Sequence, residues 1–343
     1  MAEAHGERSA AGDVLAFDVG GANVKAADGV GFAHSEPFEL WRRRSGLPGV
    51  LARIAAARRP RRIVATMTGE IADCYGSRRE GVADIVAAVA AAGGHGGTGI
   101  YLVDGTIVPP EEAAARPLEA AAANWHAVAR LAGGMAPAGR ALLVDVGSTT
   151  TDIVPLVDGR PAPLARDDVG RMAAGELVYT GAERTPVAAI VRRLPWRGRL
   201  RPVSSERFAD ALDAWLLLGG LDHVTAATAD GGPATPEGAR RRMARMVLAD
   251  PDDVCMDEAR GMAEWCAAAQ ARQVAGALGR VAERLGWIPD RIVLAGHGGC
   301  LARRALDRTG WAVEVVSLPD VLGADVSRVA PAHALALVAR GLL

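Results

Sequence analysis

The chain has 343 residues, a formal net charge of −1, 50% hydrophobic residues and only 4% aromatic residues. This length predicts about two domains, each large enough to bury its own core, and the near-neutral charge argues against a nucleic-acid-binding protein, for which we expect a basic excess. Lys25 is the only lysine among the 39 Lys and Arg residues, which indicates either a coding bias toward arginine or a position that needs a compact ammonium group.

Cysteine usage and the ends of the chain bear on the compartment. The four cysteines are scattered, without a C-x-x-C pair or a Cys/His cluster, so we predict neither a zinc site nor a disulfide framework. A reduced, cytoplasmic compartment fits this pattern best. Residues 1–12 are small and polar, which predicts a disordered N-terminus rather than a signal peptide. No apolar stretch is long enough for a membrane span, so we expect no membrane partner.

Short apolar runs bounded by Gly, Pro and Asp predict strands, and longer Ala-rich stretches predict helices. In the first part of the chain we expect strands at 14–19, 23–34, 63–67 and 100–104, and helices at 49–58, 80–92 and 111–132. In the second part we expect strands at 141–147, 153–157, 292–295 and 312–317, and helices at 205–218, 236–248, 257–285, 300–308 and 331–342. This alternation predicts an α/β protein.

The chain begins twice with the same pattern, an apolar strand that ends in Asp-x-Gly. The two copies are FDVGGANVK at 17–25 and VDVGSTTTD at 144–152. Glycine lets backbone N–H groups approach a phosphate without an obstructing Cβ atom. One such turn is equally well an ordinary hairpin, but two in matching positions predict a pair of loops that bind phosphate or diphosphate. The predicted binding residues are Gly20, Gly21, Asn23, Lys25, Gly147, Ser148, Thr149 and Thr150.

Three carboxylates accompany these turns, Asp18, Asp145 and Asp152. Carboxylate oxygens suit Mg²⁺, a hard ion that keeps several waters and bridges phosphate oxygens. We therefore predict these three residues as magnesium ligands. Lys25 follows the first turn at a spacing from which its ammonium group would reach a phosphate.

With both turns placed, the sequence resembles the sugar kinase/Hsp70/actin superfamily. Residues 18–25 and 145–152 are similar to its two phosphate loops, and residues 66–70, 294–300 and 331–336 are similar to its first connecting segment, its adenosine element and its second connecting helix. The resemblance implies two ribonuclease-H-like domains that face each other across a phosphate-binding cleft. We expect domain I at 13–138 plus 325–343, and domain II at 139–324 with a helical insertion near 180–285.

Longer stretches are similar to the hydantoinase/oxoprolinase-like branch of this superfamily found in tetrahydromethanopterin-linked one-carbon metabolism. They are MTGEIADCYGSRREGV (67–82), ANWHAVA (123–129), DVGSTTTDIVPL (145–156), GELVYTGAERTPV (175–187) and TADGGPAT (228–235). That branch includes a condensing enzyme of methanofuran biosynthesis. The resemblance implies a transferase that makes a methylofuran-type cofactor. It would join an aminomethylfuran-methyl diphosphate to the phenol oxygen of a tyrosine, tyramine or glutamylated substrate and release diphosphate.

Such a reaction needs a base, because a phenol has a pKa of about 10. Asp18 and Asp152 are candidates, although a carboxylate bound to Mg²⁺ is a poor base. His126 is a third candidate, and a structural histidine at a helix end is the simpler interpretation of it. With Lys25, these are the predicted catalytic residues. The predicted substrate-binding residues are Glu70, Arg78, Arg79, Trp125, Tyr179, Arg184, Gly296, His297 and Gly298.

Three of those residues carry specific expectations. Arg78 and Arg79 either clamp an anionic group or form a solvated pair, and Trp125 would stack on an aromatic substrate. His297 departs from the plain Gly-rich adenosine element, so ATP is not expected to bind for the favoured reaction.

Two other functions stay open. The same loops would serve an ATP-dependent small-molecule kinase or a hydantoinase/oxoprolinase-type ATP-dependent hydrolase. A non-enzymatic, nucleotide-gated module is the second alternative, and the lack of a long charged tail argues against it. We expect small-molecule substrates and no nucleic acid. The helices predicted at 205–218 and 257–285 either form a homodimer interface or pack inside domain II.

Overall fold

The computed structural model describes residues 13–93, 96–221, 224 and 227–343. The predicted disordered N-terminus at 1–12 lies outside the described residues. The chain divides into two units. Unit 1 comprises Met1–Met135, Gly159–Pro161 and Leu322–Leu343, and unit 2 comprises Ala136–Asp158 and Ala162–Val321.

Strands and helices alternate along the described chain. The strands are β1 (Val14–Val19), β2 (Asn23–Ala27), β3 (Ala33–Pro37), β4 (Arg62–Met67), β5 (Thr98–Tyr101), β6 (Ile107–Val108), β7 (Arg140–Val146), β8 (Thr151–Val157), β9 (Arg160–Pro161), β10 (Leu177–Val178), β11 (Arg193–Trp196), β12 (Arg199–Pro202), β13 (Arg291–Ala295) and β14 (Glu314–Ser317). The helices are α1 (Leu40–Arg43), α2 (Leu47–Arg58), α3 (Arg78–Ala92), α4 (Pro110–Ala115), α5 (Pro117–Ala120), α6 (Asn124–Met135), α7 (Asp168–Ala174), α8 (Val187–Ile190), α9 (Ala211–Leu217), α10 (Pro236–Met246), α11 (Met256–Leu285), α12 (Gly299–Thr309), α13 (Leu318–Leu322), α14 (Ala324–Arg328) and α15 (Ala330–Ala339). Short 3₁₀ helices lie at Arg44–Gly46 and Pro251–Asp253.

The sheet of unit 1 has the strand order β3-β2-β1-β4-β5-β6. Strand β2 runs antiparallel to both β1 and β3, and β4 and β5 run parallel to β1. Alternate residues of β1, among them Leu15 and Phe17, pack into a core with Leu51 of α2 and Ile85 of α3. The side chains at even positions of β1 point to the opposite face of the sheet, because successive residues of a strand alternate.

The sheet of unit 2 repeats this arrangement in the order β10-β8-β7-β13-β14. Strands β7, β8 and β10 are antiparallel neighbours, whereas β13 and β14 run parallel to β7. Each unit therefore has a ribonuclease-H-like sheet, an antiparallel hairpin followed by two parallel strands. The predicted α/β class with two such sheets is confirmed.

The structure corrects three predicted elements in physical terms. The strand expected at 23–34 is two strands, because the Asp28 carboxylate accepts hydrogen bonds from the amides of residues 30–32 and so forms a turn. The helix expected at 111–132 is three helices, interrupted before Pro117 and again at Ala122, whose φ is 49°. The helix expected at 205–218 begins only at Ala211, after a capping box.

The region expected to be a helical insertion, near 180–285, contains a β-hairpin. Strands β11 and β12 pair through the turn formed by Arg197 and Gly198. Both turn residues have positive φ values, 49° and 70°, as a type I′ hairpin turn requires. The region is therefore not wholly helical. Among the residues that the structure describes, none of the helices combines the length and apolar character needed to cross a membrane.

Candidate functional site

The first of the two predicted phosphate loops, residues 18–25, connects β1 to β2 in unit 1. Asp18 and Lys25 are directly opposite each other in the antiparallel pair. The Lys25 Nζ atom lies 3.5 Å from Asp18 Oδ2. The Asp18 side chain is only 4% exposed, whereas that of Lys25 is 29% exposed. The lysine thus compensates a buried carboxylate and still presents part of its ammonium group to solvent.

Burial dominates the electrostatics of Asp18. It raises the pKa of the carboxyl group, and the Lys25 ammonium opposes that rise only in part. Asp18 Oδ1 is buried and has no hydrogen-bond partner within the described ranges. Thr66, which pairs with Asp18 across β1 and β4, likewise has a buried hydroxyl without such a partner there. Two unsatisfied oxygens therefore lie on neighbouring strands, at positions whose side chains share one face of the sheet.

The turn of the first loop is fixed at one end and open at the other. The Gly20 amide donates to the Asn23 carbonyl at 3.0 Å. Gly69 also packs against this end of the turn, because a Cβ atom added to Gly69 would lie 3.2 Å from the Gly20 backbone. An added Cβ atom at Gly21 would meet nothing within 4 Å. The outer half of the turn therefore has open space beside its backbone.

The second phosphate loop, residues 145–152, connects β7 to β8 in unit 2. Here two carboxylates, Asp145 and Asp152, are opposite each other. Asp152 pairs with the buried guanidinium of Arg171, Nη1 to Oδ1, at 2.9 Å. Arg171 also donates to the Glu176 carbonyl at 3.2 Å. Burial raises the pKa of Asp152 and the charge of Arg171 opposes that rise. The Asp152 carboxylate is thus held by an internal cation.

Glycines let neighbouring backbone segments approach the second loop closely. A Cβ atom at Gly181 would lie 2.6 Å from the backbone of Ser148 and Thr149, and one at Gly298 would lie 2.3 Å from Val146. Gly296 has a φ of 76°, and a Cβ atom there would lie 2.2 Å from the Val146 carbonyl oxygen. The second loop is therefore enclosed by chain segments that leave no room for side chains at these glycines.

A buried hydrogen-bond network supports the segment that covers the second loop. The Thr151 hydroxyl donates to the Thr180 carbonyl at 2.8 Å. The Gln270 amide group donates to Thr180 Oγ1 at 2.8 Å and to the Gly181 carbonyl at 2.9 Å, and the Trp215 indole donates to Gln270 Oε1 at 3.1 Å. This polar network has partners for each of these groups, so it rigidifies the loop rather than destabilising the core.

Sequence reasoning missed Arg171, Glu183 and Gln270. Each lies at least 19 positions from the second loop; Glu183 belongs to the family-like stretch 175–187 but was not singled out there, and Arg171 and Gln270 belong to no quoted motif. The one signal was indirect: a carboxylate in a buried hairpin requires a cation nearby. The need for a cation does not identify which of the many arginines provides the positive charge.

The predicted magnesium ligands differ in how well they fit a cation. Among the described residues there is no group of three or more His, Cys, Asp and Glu side chains arranged to hold a metal ion. Asp18 Oδ2 is paired with Lys25 at 3.5 Å, but its Oδ1 is buried without a hydrogen-bond partner among the described residues, so only Oδ1 is suited to a cation. The ion pair with Arg171 disfavours a cation at Asp152. Magnesium needs only one or two protein carboxylates, so the magnesium assignment stays a prediction that rests on Asp18 and Asp145.

In unit 1, the other predicted residues lie in different surroundings. His126 Nδ1 is 2.7 Å from the Tyr101 hydroxyl. Trp125 is only 2% exposed and packs edge-on against the His126 ring, so in this structure it is a core residue and presents no free face for stacking. Glu70 is buried against α3. Arg78 and Arg79 form the first turn of that helix.

In unit 2, the predicted residues gather at the second loop. The Arg184 amide donates to the Ser148 carbonyl at 2.8 Å. His297 follows β13 and approaches Glu183, Nε2 to Oε2, at 3.7 Å. Tyr179 is 59% exposed at the end of β10. The structure therefore brings Arg184 and His297 to the loop, with Tyr179 on the surface of the same unit.

Comparison with known proteins places the chain among named relatives. The hydantoinase/oxoprolinase family model matches residues 61–338. The (4-{4-[2-(gamma-L-glutamylamino)ethyl]phenoxymethyl}furan-2-yl)methanamine synthase of Methanocaldococcus jannaschii is 30% identical over 328 residues, which are 94% of this chain and 96% of that protein. The synthase of the same name from Methanococcus vannielii is 29% identical over 206 residues, 59% of this chain and 91% of that protein.

Solved structures that resemble this one include a ROK family glucokinase from Streptomyces griseus in complex with glucose and AMPPNP. It is 12% identical, covers 96% of this chain and 99% of its own, and has a TM-score of 0.45. The family model spans most of the chain, and the M. jannaschii relative aligns over nearly all of it. The chain belongs to the hydantoinase/oxoprolinase family.

Proposed function

We propose that this protein is a condensing transferase that forms an aryl ether between a furan-methyl group and a phenol. The furan-methyl carbon would carry diphosphate, and the phenol would belong to a tyrosine or tyramine derivative, glutamylated or not. The product would be an intermediate of a methylofuran-type cofactor. The observation that carries this proposal is the 30% identity, over 94% of the chain, to a synthase whose name specifies a phenoxymethylfuran ether.

The proposed reaction balances without a nucleotide. The bond between the furan-methyl carbon and the diphosphate oxygen breaks, and its electron pair leaves with diphosphate. The phenol oxygen forms the new C–O bond and gives its proton to a base. Positive charge develops on the furan-methyl group and negative charge on the leaving diphosphate. Groups that stabilise this charge separation lower the barrier, because they bind the transition state more strongly than the substrate.

The first phosphate loop supplies a cation for that separation. Lys25 is part-exposed and lies next to a carboxylate whose pKa is raised. Its ammonium group would contact phosphate oxygens, and the open space beside Gly21 would admit them to the backbone. When bound at Asp18, Mg²⁺ would neutralise further charge on the leaving diphosphate. Asp18 itself would hold the ammonium group in position.

The second phosphate loop would supply neutral donors. Ser148, Thr149 and Thr150 are half-buried, and the packing of Gly181 against the loop fixes their backbone. Donors fixed in this way need no rearrangement when the leaving group becomes charged, which is how preorganised sites lower barriers. Arg171 would act indirectly, because it removes the cost of burying Asp152.

The test is to incubate the purified protein with the furan-methyl diphosphate and γ-glutamyltyramine, tyramine or tyrosine in parallel. We expect an ether-linked product by mass spectrometry and one diphosphate released for each ether, in the absence of ATP. A product that forms only with ATP, together with ADP, would show a kinase or ATP-dependent hydrolase instead. No ether with any of the three phenols would contradict the proposal.

A further inference from the structure

The turn that follows β13 is hydrogen-bonded to the end of β7, next to the second phosphate loop. The Gly298 amide donates to the Val146 carbonyl at 3.0 Å. Gly296 is in a left-handed conformation, and a Cβ atom there would lie 2.6 Å from Asp145 Oδ1. His297 stands between these two glycines. Its backbone position is therefore fixed relative to the loop.

Glu183 is held at the same loop by separate backbone hydrogen bonds. Its amide donates to the Ser148 carbonyl at 3.0 Å, and the preceding amide, of Ala182, donates to the Gly147 carbonyl at 2.9 Å. The Glu183 side chain is fully buried. A carboxylate and an imidazole are thus held near each other by separate attachments to one loop.

The two side chains face each other within ion-pair distance, beyond the length of a hydrogen bond. His297 Nε2 lies 3.7 Å from Glu183 Oε2, and this nitrogen is buried without a hydrogen-bond partner in the described part of the chain. The His297 ring is still 26% exposed. If Nε2 carries the proton of the neutral ring, on the side of the carboxylate, the Nδ1 lone pair is the acceptor.

The three base candidates predicted from the sequence are differently placed. Asp152 is paired with Arg171, Asp18 with Lys25, and His126 uses its Nδ1 with the Tyr101 hydroxyl. Each therefore has a short-range partner at one of its proton-accepting atoms, and the remaining oxygen of Asp18 is buried. His297 instead has Glu183 on the side of Nε2, and its ring is 26% exposed, so the proposed accepting atom is Nδ1.

We propose that His297 is the catalytic base that takes the phenol proton, and that Glu183 is the positioning residue that orients and stabilises it. This inference rests on the proposed condensation. As the phenol oxygen forms its bond to the furan-methyl carbon, the O–H proton moves to His297 Nδ1. The imidazolium formed is paired with the Glu183 carboxylate, and diphosphate leaves with the electron pair of the broken C–O bond.

The test compares phenols of different acidity in the wild type and in His297→Gln. Removing a general base typically costs 10²- to 10⁴-fold, so we expect about a hundredfold loss of kcat with the ordinary phenol. Ring-fluorinated phenols ionise more readily and need less help from a base. They are expected to restore most of the lost rate in His297→Gln while they change the wild-type rate little. Glu183→Gln is expected to show a smaller loss, about tenfold, with the same rescue.

Further measurements keep the test decisive. Competition with inorganic diphosphate is expected to give the same affinity in the wild type and His297→Gln, and thermal unfolding shows whether each variant is folded. His297→Asn replaces His297→Gln if the latter does not fold.

An equal loss of kcat with all phenols, or weaker diphosphate binding with unchanged kcat, would overturn the assignment. Rescue of His126→Gln by fluorinated phenols would transfer the role to His126. No ether from the wild type would overturn the condensation and this assignment together, whereas the other outcomes overturn only the assignment.

Discussion

The two phosphate loops occupy matching places in two similar sheets, but their charges are arranged differently. Asp18 of the first loop corresponds to Asp145 of the second, and Lys25 corresponds to Asp152. In the first loop the buried carboxylate is compensated by a part-exposed lysine from the same hairpin. In the second loop the carboxylate is compensated by the fully buried Arg171. The same backbone pattern therefore carries an accessible cation in one unit and an internal, structural one in the other.

The difference predicts different roles for the two cations: Lys25 would bind the substrate, whereas Arg171 stabilises the fold. A part-exposed ammonium group can gain a phosphate partner at little desolvation cost, whereas a buried guanidinium in an ion pair mainly prevents the penalty of an uncompensated charge. We expect substitutions at the first loop to affect activity more than stability. Substitutions at the second loop are expected to affect stability first.

The largest expected effect is on the stability of unit 2. Arg171→Leu leaves the Asp152 carboxylate, which is 17% exposed, without its cation. Breaking a fully buried pair costs about 3–5 kcal/mol, so we expect a loss near the lower end of that range. Chemical denaturation measures this loss in the free energy of unfolding. The double variant Arg171→Leu/Asp152→Asn removes both charges and is expected to recover most of the stability. If the single variant is as stable as the wild type, Arg171 is not the supporting cation.

The next effect is on activity. Lys25→Met is expected to lower kcat/KM for ether formation about a hundredfold, the range found when one preorganised charge-stabilising group is removed. Lys25→Arg keeps the charge but not the compact shape, and we expect it to recover only part of the rate. Steady-state kinetics with thermal unfolding as a control checks both. Full activity in Lys25→Arg would remove the special role of the lysine.

A smaller effect distinguishes the packing of the two turns. Gly181→Ala places a Cβ atom 2.6 Å from the backbone of Ser148 and Thr149, whereas Gly21→Ala meets nothing within 4 Å. Overpacking of this kind costs about 1–3 kcal/mol, so thermal unfolding should show a lower Tm for Gly181→Ala and little change for Gly21→Ala. Equal Tm values would contradict the described difference in packing.

The smallest effect is the pH dependence of stability due to Asp18. Burial raises the pKa of this carboxyl group, so its contribution to stability is fully present below the unfolded pKa of about 3.9 and is lost as the pH rises through the raised folded pKa. The wild type should therefore lose stability relative to Asp18→Asn as the pH rises above about 4. Asp257→Asn, at an exposed position, provides the control and should run parallel to the wild type. The same pH dependence of stability in Asp18→Asn and in the wild type would contradict this prediction.

Local sequence patterns predicted most of the regular elements. The apolar run of β1 ends in the structure where it was expected, at Val19, and the long helix α11 extends over Met256–Leu285, because both depend on hydrophobic periodicity within one segment. The hairpin β11–β12 and the short helix α7 were not predicted. These elements are short, and tertiary packing rather than periodicity determines them.

The site could be predicted only as far as its residues are close in sequence. The pairing of Asp18 with Lys25 follows from one hairpin. Arg171, Glu183 and Gln270 reach the second loop through the fold, and side-chain partners of that kind have no fixed spacing. The burial of Trp125 was missed for the same reason, because its helix packs in a way that the sequence alone does not specify.

The central claim, that the ether forms by displacement of diphosphate, is tested most directly by isotope position. The furan-methyl diphosphate is prepared with ¹⁸O in the bridging C–O–P oxygen and incubated with the unlabelled phenol, without ATP. The account predicts that all the label leaves with diphosphate and that the ether contains only the phenol oxygen. Retention of ¹⁸O in the ether would contradict it, because the furan-methyl carbon would then have kept its original oxygen.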